Sequence, residues 1–361
     1  MKKIGIITFH RANNFGAVLQ CYALQETLRH LGYEAEVVDY REPFTELIYN
    51  PIRWDIMKQG LTRPRLMVGY LLKVLPERYK RAKKYNAFRK KYLNCSRKIK
   101  KGENMPQDID VFLIGSDQMW SLHPTGNKIE PVYFGEFKIP ATSSIQGYAI
   151  SSNIQSLHTI GKERLSKYIR NFKRLSFREK TICDEVEKLT SRRGKVVLDP
   201  SLLLDYNDWN KLTTHNIVNK KYILTYFLHE ESSDPEFKKK VQLFAQRKGL
   251  ELVDMFDIAF SPVNFLNAIK HAECILATSF HAVAFSILFQ KTFYALKTND
   301  GKDIRYINLM GALGINRLTD SNALSTLCPT AIDYEMVNNK LKELRIDSLE
   351  YLKNIITPCQ K

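Results

Sequence analysis

The chain has 361 residues, 44% of them apolar, and carries 55 Lys and Arg against 38 Asp and Glu, a formal charge of +17. That balance excludes a chain too polar to bury a core and describes a soluble globular protein of about two domains. The six cysteines (21, 95, 183, 274, 328 and 359) are far apart, with no C-x-x-C pair, so reduced thiols are expected and a disulfide framework or zinc site is not.

The opening "MKKIGIITFH" has only about six consecutive apolar residues, short of a signal-peptide core, and the expected location is the cytoplasm. "KIGIITF" and "EAEVVDY" predict buried strands on either side of a helix from Ala17 to Leu31, which Gly32 stops. The corner between the first strand and this helix holds Asn13, Asn14 and Gly16. Two readings are open there: a helix amino terminus whose N–H groups receive an anion, or a plain cap by Asn14 with Gly16 easing the turn. Neither a G-x-G-x-x-G fingerprint nor a Walker loop is present.

Residues 51–101 hold 17 Lys or Arg against Asp55 and Glu77, so this basic, helical insert supplies +15 of the net charge. Its "LMVGYLLKVL" is a ten-residue stretch, apolar but for Lys73 and half of the ~20 that a bilayer crossing requires. A helix lying on an anionic membrane face and a basic surface helix folded against its own domain both fit. The aromatics of "RYKRAKKYNAFRKKYL" form no nucleic-acid motif, and no nucleic-acid partner is expected.

Beyond the insert, "DIDVFLIGSD" and "SIQGYAIS" predict strands, residues 159–174 and 178–190 helices, and "GKVVLDPSLLL" a strand running into a turn at Asp199-Pro200. The alternation then restarts with "KYILTYFL", "LELVDM", "CILATS" and "KTFYAL" as strands. The helices between them are "DPEFKKKVQLFAQRKG", "SPVNFLNAIKHAE", capped by Ser261 with Pro262 in its first turn, and "HAVAFSILFQ". The predicted organisation is an α/β protein of two Rossmann-like domains, 1–205 and 206–330, facing an interdomain cleft. A closing helix in 331–361 either crosses back onto the first domain or pairs with a second copy.

Several polar residues stand where strands end. Asp117, after Gly115 and Ser116, either caps the next segment or accepts a hydrogen bond from a sugar hydroxyl. His281, after Thr278 and Ser279, is placed at a helix amino terminus. The helix dipole disfavours an imidazolium there and a bound phosphate or carboxylate restores it, which gives an acid when an anionic substrate is present. Arg178 in "LSFREK" has the planar fork for a bidentate anion clamp, or for an ordinary pair with Glu179.

Together, "TFHRANNFGAVLQCYALQ", "IGSDQMW", "YAISS", "LSFREK", "LDPSLLL" and "TSFHAVAFSILFQKTF" resemble the polysaccharide pyruvyl transferase family over residues 4 to 320. The resemblance implies a fold like that of B-type glycosyltransferases. It also implies transfer of the enolpyruvyl carbons of phosphoenolpyruvate onto sugar hydroxyls of a bacterial surface polysaccharide or its lipid-linked precursor, leaving a pyruvate ketal. By the same resemblance His281 is the acid toward the donor and Arg178 holds the donor's anionic groups. Asn14 and Gly16 match an Asn-x-Gly-Asp motif in which Ala17 here replaces Asp, and Ser279-Phe280-His281 stands where some members have Arg-Leu-His. Arg305 is the first choice for the cation thereby lost, ahead of Lys297 and Arg317. Asn13 and Ser279 join the phosphate-binding set, and Ser116, Asp117 and Asp199 the acceptor side. No metal or bound cofactor is expected, phosphoenolpyruvate being a co-substrate. If the acceptor is carried on a polyprenyl diphosphate, the basic insert becomes a docking surface on the cytoplasmic membrane face. A nucleotide-sugar glycosyltransferase of the same fold and a non-catalytic scaffold in polysaccharide assembly are the alternatives.

Overall fold

The computed structural model describes residues 1–60, 64–213, 215–228, 234–298, 301, 303–325 and 331–357. The chain forms two units, residues 1–203 with 349–361 and residues 204–348.

In the first unit, β1 (Lys3–Ile7) runs into α1 (Phe15–His30), β2 (Glu34–Arg41) and α2 (Pro43–Tyr49). The basic segment follows as α3 (Trp54–Gly60), α4 (Pro64–Gly69), a π-turn (Tyr70–Val74) and α5 (Leu75–Tyr92), and ends in a strand, β3 (Cys95–Lys100). β4 (Val111–Ile114) and β5 (Ser144–Gly147) complete a fully parallel sheet of order β3-β2-β1-β4-β5. Its central strands are near-continuous apolar runs because both faces are covered. After β5 come α6 (Ile154–Ile160), α7 (Lys162–Ile169), β6 (Ser176–Phe177), α8 (Lys180–Thr190) and β7 (Lys195–Val196). β6 and β7 pair in parallel, and a bridge from Ile150 to Phe177 attaches them to the chain leaving β5. Trp120 anchors the core here: it stacks on Phe134 at 5.2 Å and donates its indole N–H to the Tyr133 carbonyl.

Three expectations are corrected. The basic insert is not helical throughout: "CSRKIK" is β3, an edge strand whose charged side chains face water and whose Ile99 alone is fully buried. The helix expected over 159–174 begins at Ile154 and is broken at Gly161, where φ is +82°. The strand expected in "GKVVLDP" shrinks to two residues, because the Asp199 carboxylate receives the Ser201 N–H and starts a 3-10 turn.

The second unit contains α9 (Tyr206–Asn210), β8 (Tyr222–Tyr226), α10 (Pro235–Lys248), β9 (Glu251–Asp254), α11 (Met255–Ile258), α12 (Pro262–His271) and β10 (Cys274–Ala277). α13 (Phe280–Leu288), β11 (Thr292–Leu296), α14 (Ile304–Leu313) and β12 (Leu318–Thr319) follow. Its sheet, also parallel, has the order β12-β11-β10-β8-β9. Ser261 caps α12 with Pro262 in its first turn, as the sequence predicts. The closing helix α15 (Tyr334–Ile356) ends in residues of the first unit, where Lys2 Nζ donates to the Ile356 carbonyl at 2.8 Å. Cys21, Cys95, Cys183 and Cys274 are free thiols; Cys328 and Cys359 lie outside the described residues.

Each sheet has one point where successive connections leave in opposite directions, between β1 and β4 in the first unit and between β8 and β10 in the second. In open α/β sheets the crevice beyond the carboxyl ends of the strands at such a point receives ligands.

Candidate functional site

At the first of these points the chain leaves β1 through Thr8–Asn14. Asn14 caps α1, its side chain accepting the Ala17 N–H at 3.1 Å, and Gly16 is buried inside the first turn. The plain capping reading of this corner therefore holds for Asn14, and replacing it with Ala is expected to lower stability by about 1 kcal/mol, read from a denaturant midpoint. Asn13 instead accepts the Arg89 guanidinium at 2.8 Å.

Arg89 is the residue that composition and motif searching overlook. It lies on α5 in the basic segment, yet its side chain is buried and holds the whole loop: Nε donates to the His10 carbonyl, and Nη2 to the carbonyls of Arg11 and Ala12. Nη1 donates to Asn86 Oδ1, so every hydrogen-bond partner of Arg89 is a neutral oxygen. Burial, with Arg11 adding like charge, pushes its pKa down to about 10. A hollow of about 160 Å³ opens beside it, lined among others by Arg11, Asn13, Asn86 and Glu46. Glu46 and Asp39 lie 3.6 Å from Arg11, and Asp39 also binds Arg41 and His10 Nε2 at 2.9 Å. Burial pushes the Asp39 carboxyl up, but the His10 hydrogen bond and the two arginines outweigh it and hold the group well below the usual carboxylate range. Arg11 and Arg89 against the single carboxylate of Glu46 leave the lining of this hollow cationic, suited to an anion such as phosphate. The signal in the sequence was periodicity: Ala82, Tyr85 and Phe88 mark a buried face of the helix, and Arg89 falls on it.

The loop after β4 turns at Gly115, where φ is +131° and an added Cβ would stand 2.0 Å from the Tyr148 carbonyl oxygen. Ser116 and Asp199 are brought together at once: Ser116 Oγ donates to Asp199 Oδ2 at 3.0 Å. Asp199 also accepts Arg178 Nη1 at 2.9 Å and the Ser201 N–H and hydroxyl, so its acceptor positions are filled. Arg178 Nε donates to Glu179 at 2.8 Å and Nη2 to Ser151 Oγ at 2.9 Å, while that hydroxyl donates to Glu179 Oε1. Burial disfavours the Arg178 charge, and Glu179, Asp199 and Asp117 more than restore it, raising its pKa. The open anion clamp read from "LSFREK" is thus a buried cation bonded to two carboxylates, and Asp199 is its counter-ion. The sequence could not show this, since Ser151, Arg178 and Asp199 are brought together by the pairing of Ile150, β6 and β7. Asp117 is half-buried with φ of +58°, and its charge reaches Arg178 and Tyr49.

At the second point, β10 is followed by Thr278, whose hydroxyl accepts the Leu228 N–H at 2.9 Å and ties the chain leaving β8 to the chain leaving β10. Ser279 caps α13, receiving the Ala282 N–H at 3.5 Å, and His281 is in the first helical turn, edge-on to Phe280 at 5.1 Å between ring centres. All nine residues of α13 are buried, which explains the apolar run after the histidine and fixes the imidazole by its backbone. Arg305 lies in the first turn of α14 and is half-buried. Arg317 is buried over the Tyr294 ring at 5.2 Å, and Lys297 is exposed. A cavity of about 470 Å³ opens beside the carboxyl ends of β8 and β9, lined by Phe227, Phe237 and Phe256 with Asp254 and Asp257. No local pattern announces it, because its aromatic residues come from one strand end and two separate helices.

Two Rossmann-like units with chemistry-bearing loops at both crossover points define a GT-B-like α/β protein. The Staphylococcus aureus MnaA structure with UDP shares the fold: 12% identity, 100% of this chain and 98% of that one covered, TM-score 0.51. A UDP-GlcNAc 2-epimerase from Methanocaldococcus jannaschii aligns at 10% identity, 95% and 92% coverage and a TM-score of 0.46. Acinetobacter baumannii MurG aligns at 9% identity, 99% coverage of both chains and 0.42. No curated protein matches the chain. The polysaccharide pyruvyl transferase family model matches residues 14–300, and the chain belongs to that family.

Proposed function

We propose that the protein uses phosphoenolpyruvate to form a pyruvate ketal on a sugar of a surface polysaccharide or of its lipid-linked precursor. The observation that carries this reading is His281, held by Ser279 and a buried helix at the carboxyl end of β10, within a chain of the pyruvyl transferase family. In the reaction the donor's C3 methylene takes a proton from His281 and becomes a methyl group, while C2 accepts a sugar hydroxyl oxygen. The C2–O bond to phosphate then breaks, and a second hydroxyl of the same sugar closes the ketal. Two hydroxyl protons are released in all: one replaces the proton given by His281 and the other leaves with phosphate. Ser279, the first-turn N–H groups of α13 and Arg305 supply the anionic contacts on the donor side.

The Arg178 network has a positioning role in this account, fixing the Gly115–Asp117 loop through Asp199 and Ser116, with Asp117 left to meet an acceptor hydroxyl. The cationic hollow of Arg11 and Arg89 suits the diphosphate of a carrier lipid. Calorimetry tests the donor: phosphoenolpyruvate is expected to bind the wild type, and UDP or GDP sugars are not. Binding of a nucleotide sugar without binding of phosphoenolpyruvate would move the protein among the glycosyltransferases.

A further inference from the structure

We propose that the exposed apolar face carried by residues 47–60 and 64–79 docks the protein, lying in the plane of the interface, on an anionic lipid bilayer. Eight of the seventeen large apolar side chains exposed among the described residues fall in this stretch. Leu72 is 73% exposed, Tyr79 63%, Trp54 59% and Val68 54%, with Leu71 and Val74 beside them. Val68, Leu71, Leu72 and Tyr79 recur at helical spacing along α4, the π-turn and the start of α5, and Lys83 continues the row.

Two long polar side chains of the same segment, Tyr70 and Arg78, are turned inward onto backbone. The Tyr70 hydroxyl donates to the Pro51 carbonyl at 2.6 Å and accepts the Arg53 N–H at 2.9 Å. Arg78 donates to the carbonyls of Ile48 and Asn50. Water favours the opposite arrangement, so this surface is built for an apolar partner. Its rim decides which. Lys73, Lys80, Lys83 and Lys84 are exposed, whereas Asp55 is paired with Arg53 and Glu77 is the other acidic residue of the insert. A second copy of the chain placed symmetrically on this face would bring cations against cations, while a bilayer containing anionic lipid satisfies both the apolar row and the charge. No helix among the described residues is long and apolar enough to cross the membrane, so the contact is peripheral. The docking stands on this surface and not on the transfer reaction.

The test is co-sedimentation of the full chain with vesicles of phosphatidylcholine mixed with phosphatidylglycerol, and of phosphatidylcholine alone. The wild type is expected to bind the mixed vesicles roughly tenfold or more tightly, to release in high salt, and to shift its Trp54 emission to the blue. Leu71→Ser with Leu72→Ser, and separately Lys73→Gln with Lys83→Gln and Lys84→Gln, are each expected to weaken binding by about tenfold or more. Both variants should keep the wild-type melting temperature, since these side chains are exposed. Failure of the wild type to sediment with anionic vesicles, or full binding by the leucine variant, would overturn the proposal. So would a wild-type dimer in sedimentation velocity that the leucine variant dissolves, because the face would then belong to a second copy.

Discussion

His281→Gln is expected to lower the transfer rate by about 10²–10⁴-fold while leaving the melting temperature within a few degrees of the wild type. The size follows from the role: a positioned proton donor contributes that much, and glutamine keeps the bulk of the ring without its titrating nitrogen. The small stability change follows from the position. His281 enters the helix with its backbone, and the cap is made by Ser279, so the cap that starts α13 is kept. Phosphoenolpyruvate should still bind the variant, because the proposed function assigns the contacts to its anionic groups to the helix terminus and Arg305. A rate reduced less than tenfold, with a normal melt, would remove His281 from the chemistry.

Arg178→Met is expected to act in the opposite sense, on the fold first. The guanidinium separates two buried carboxylates, Glu179 and Asp199, and Glu179 Oε2 has no hydrogen-bond partner among the described residues. Removing the cation leaves both charges uncompensated, a loss of about 3–5 kcal/mol. For a unit of this size that lowers the melting midpoint by on the order of 10 °C. The Asp199 and Ser116 contacts loosen with it, so activity falls as a consequence. An unchanged melt accompanied by lost phosphoenolpyruvate binding would instead make Arg178 a direct ligand of the donor.

The contrast between these two residues shows what was legible in the sequence. Elements announced by local chemistry were readable: apolar runs stopped by Asn14 or Gly32, the Ser261-Pro262 start of α12, and the strand, cap and apolar helix around His281. Each depends on neighbours within about four residues. β3 was not readable, since an edge strand buries one residue in six and its "CSRKIK" looks like surface. Partners brought together by topology were hidden as well. Arg178 meets Asp199 and Ser151 across 21 and 27 positions, and Arg89 meets the loop after β1 across nearly 80. For Arg178 the sequence supplied the residue type and concealed its counterparts, so a cation suited to an external anion was found bonded to the protein itself. In the basic segment Tyr85 and Phe88 fold back on the domain, while the apolar row before them is exposed.

The central claim is the transfer of a pyruvyl group, and the most direct measurement incubates the protein with phosphoenolpyruvate and a short glycan or lipid-linked glycan acceptor, following the acceptor by mass spectrometry and phosphate by release. The account predicts an acceptor heavier by one pyruvyl ketal and one phosphate per ketal, both lost in His281→Gln. Phosphate release without a ketal, or glycosylation of the acceptor from a nucleotide sugar in place of either, would contradict it.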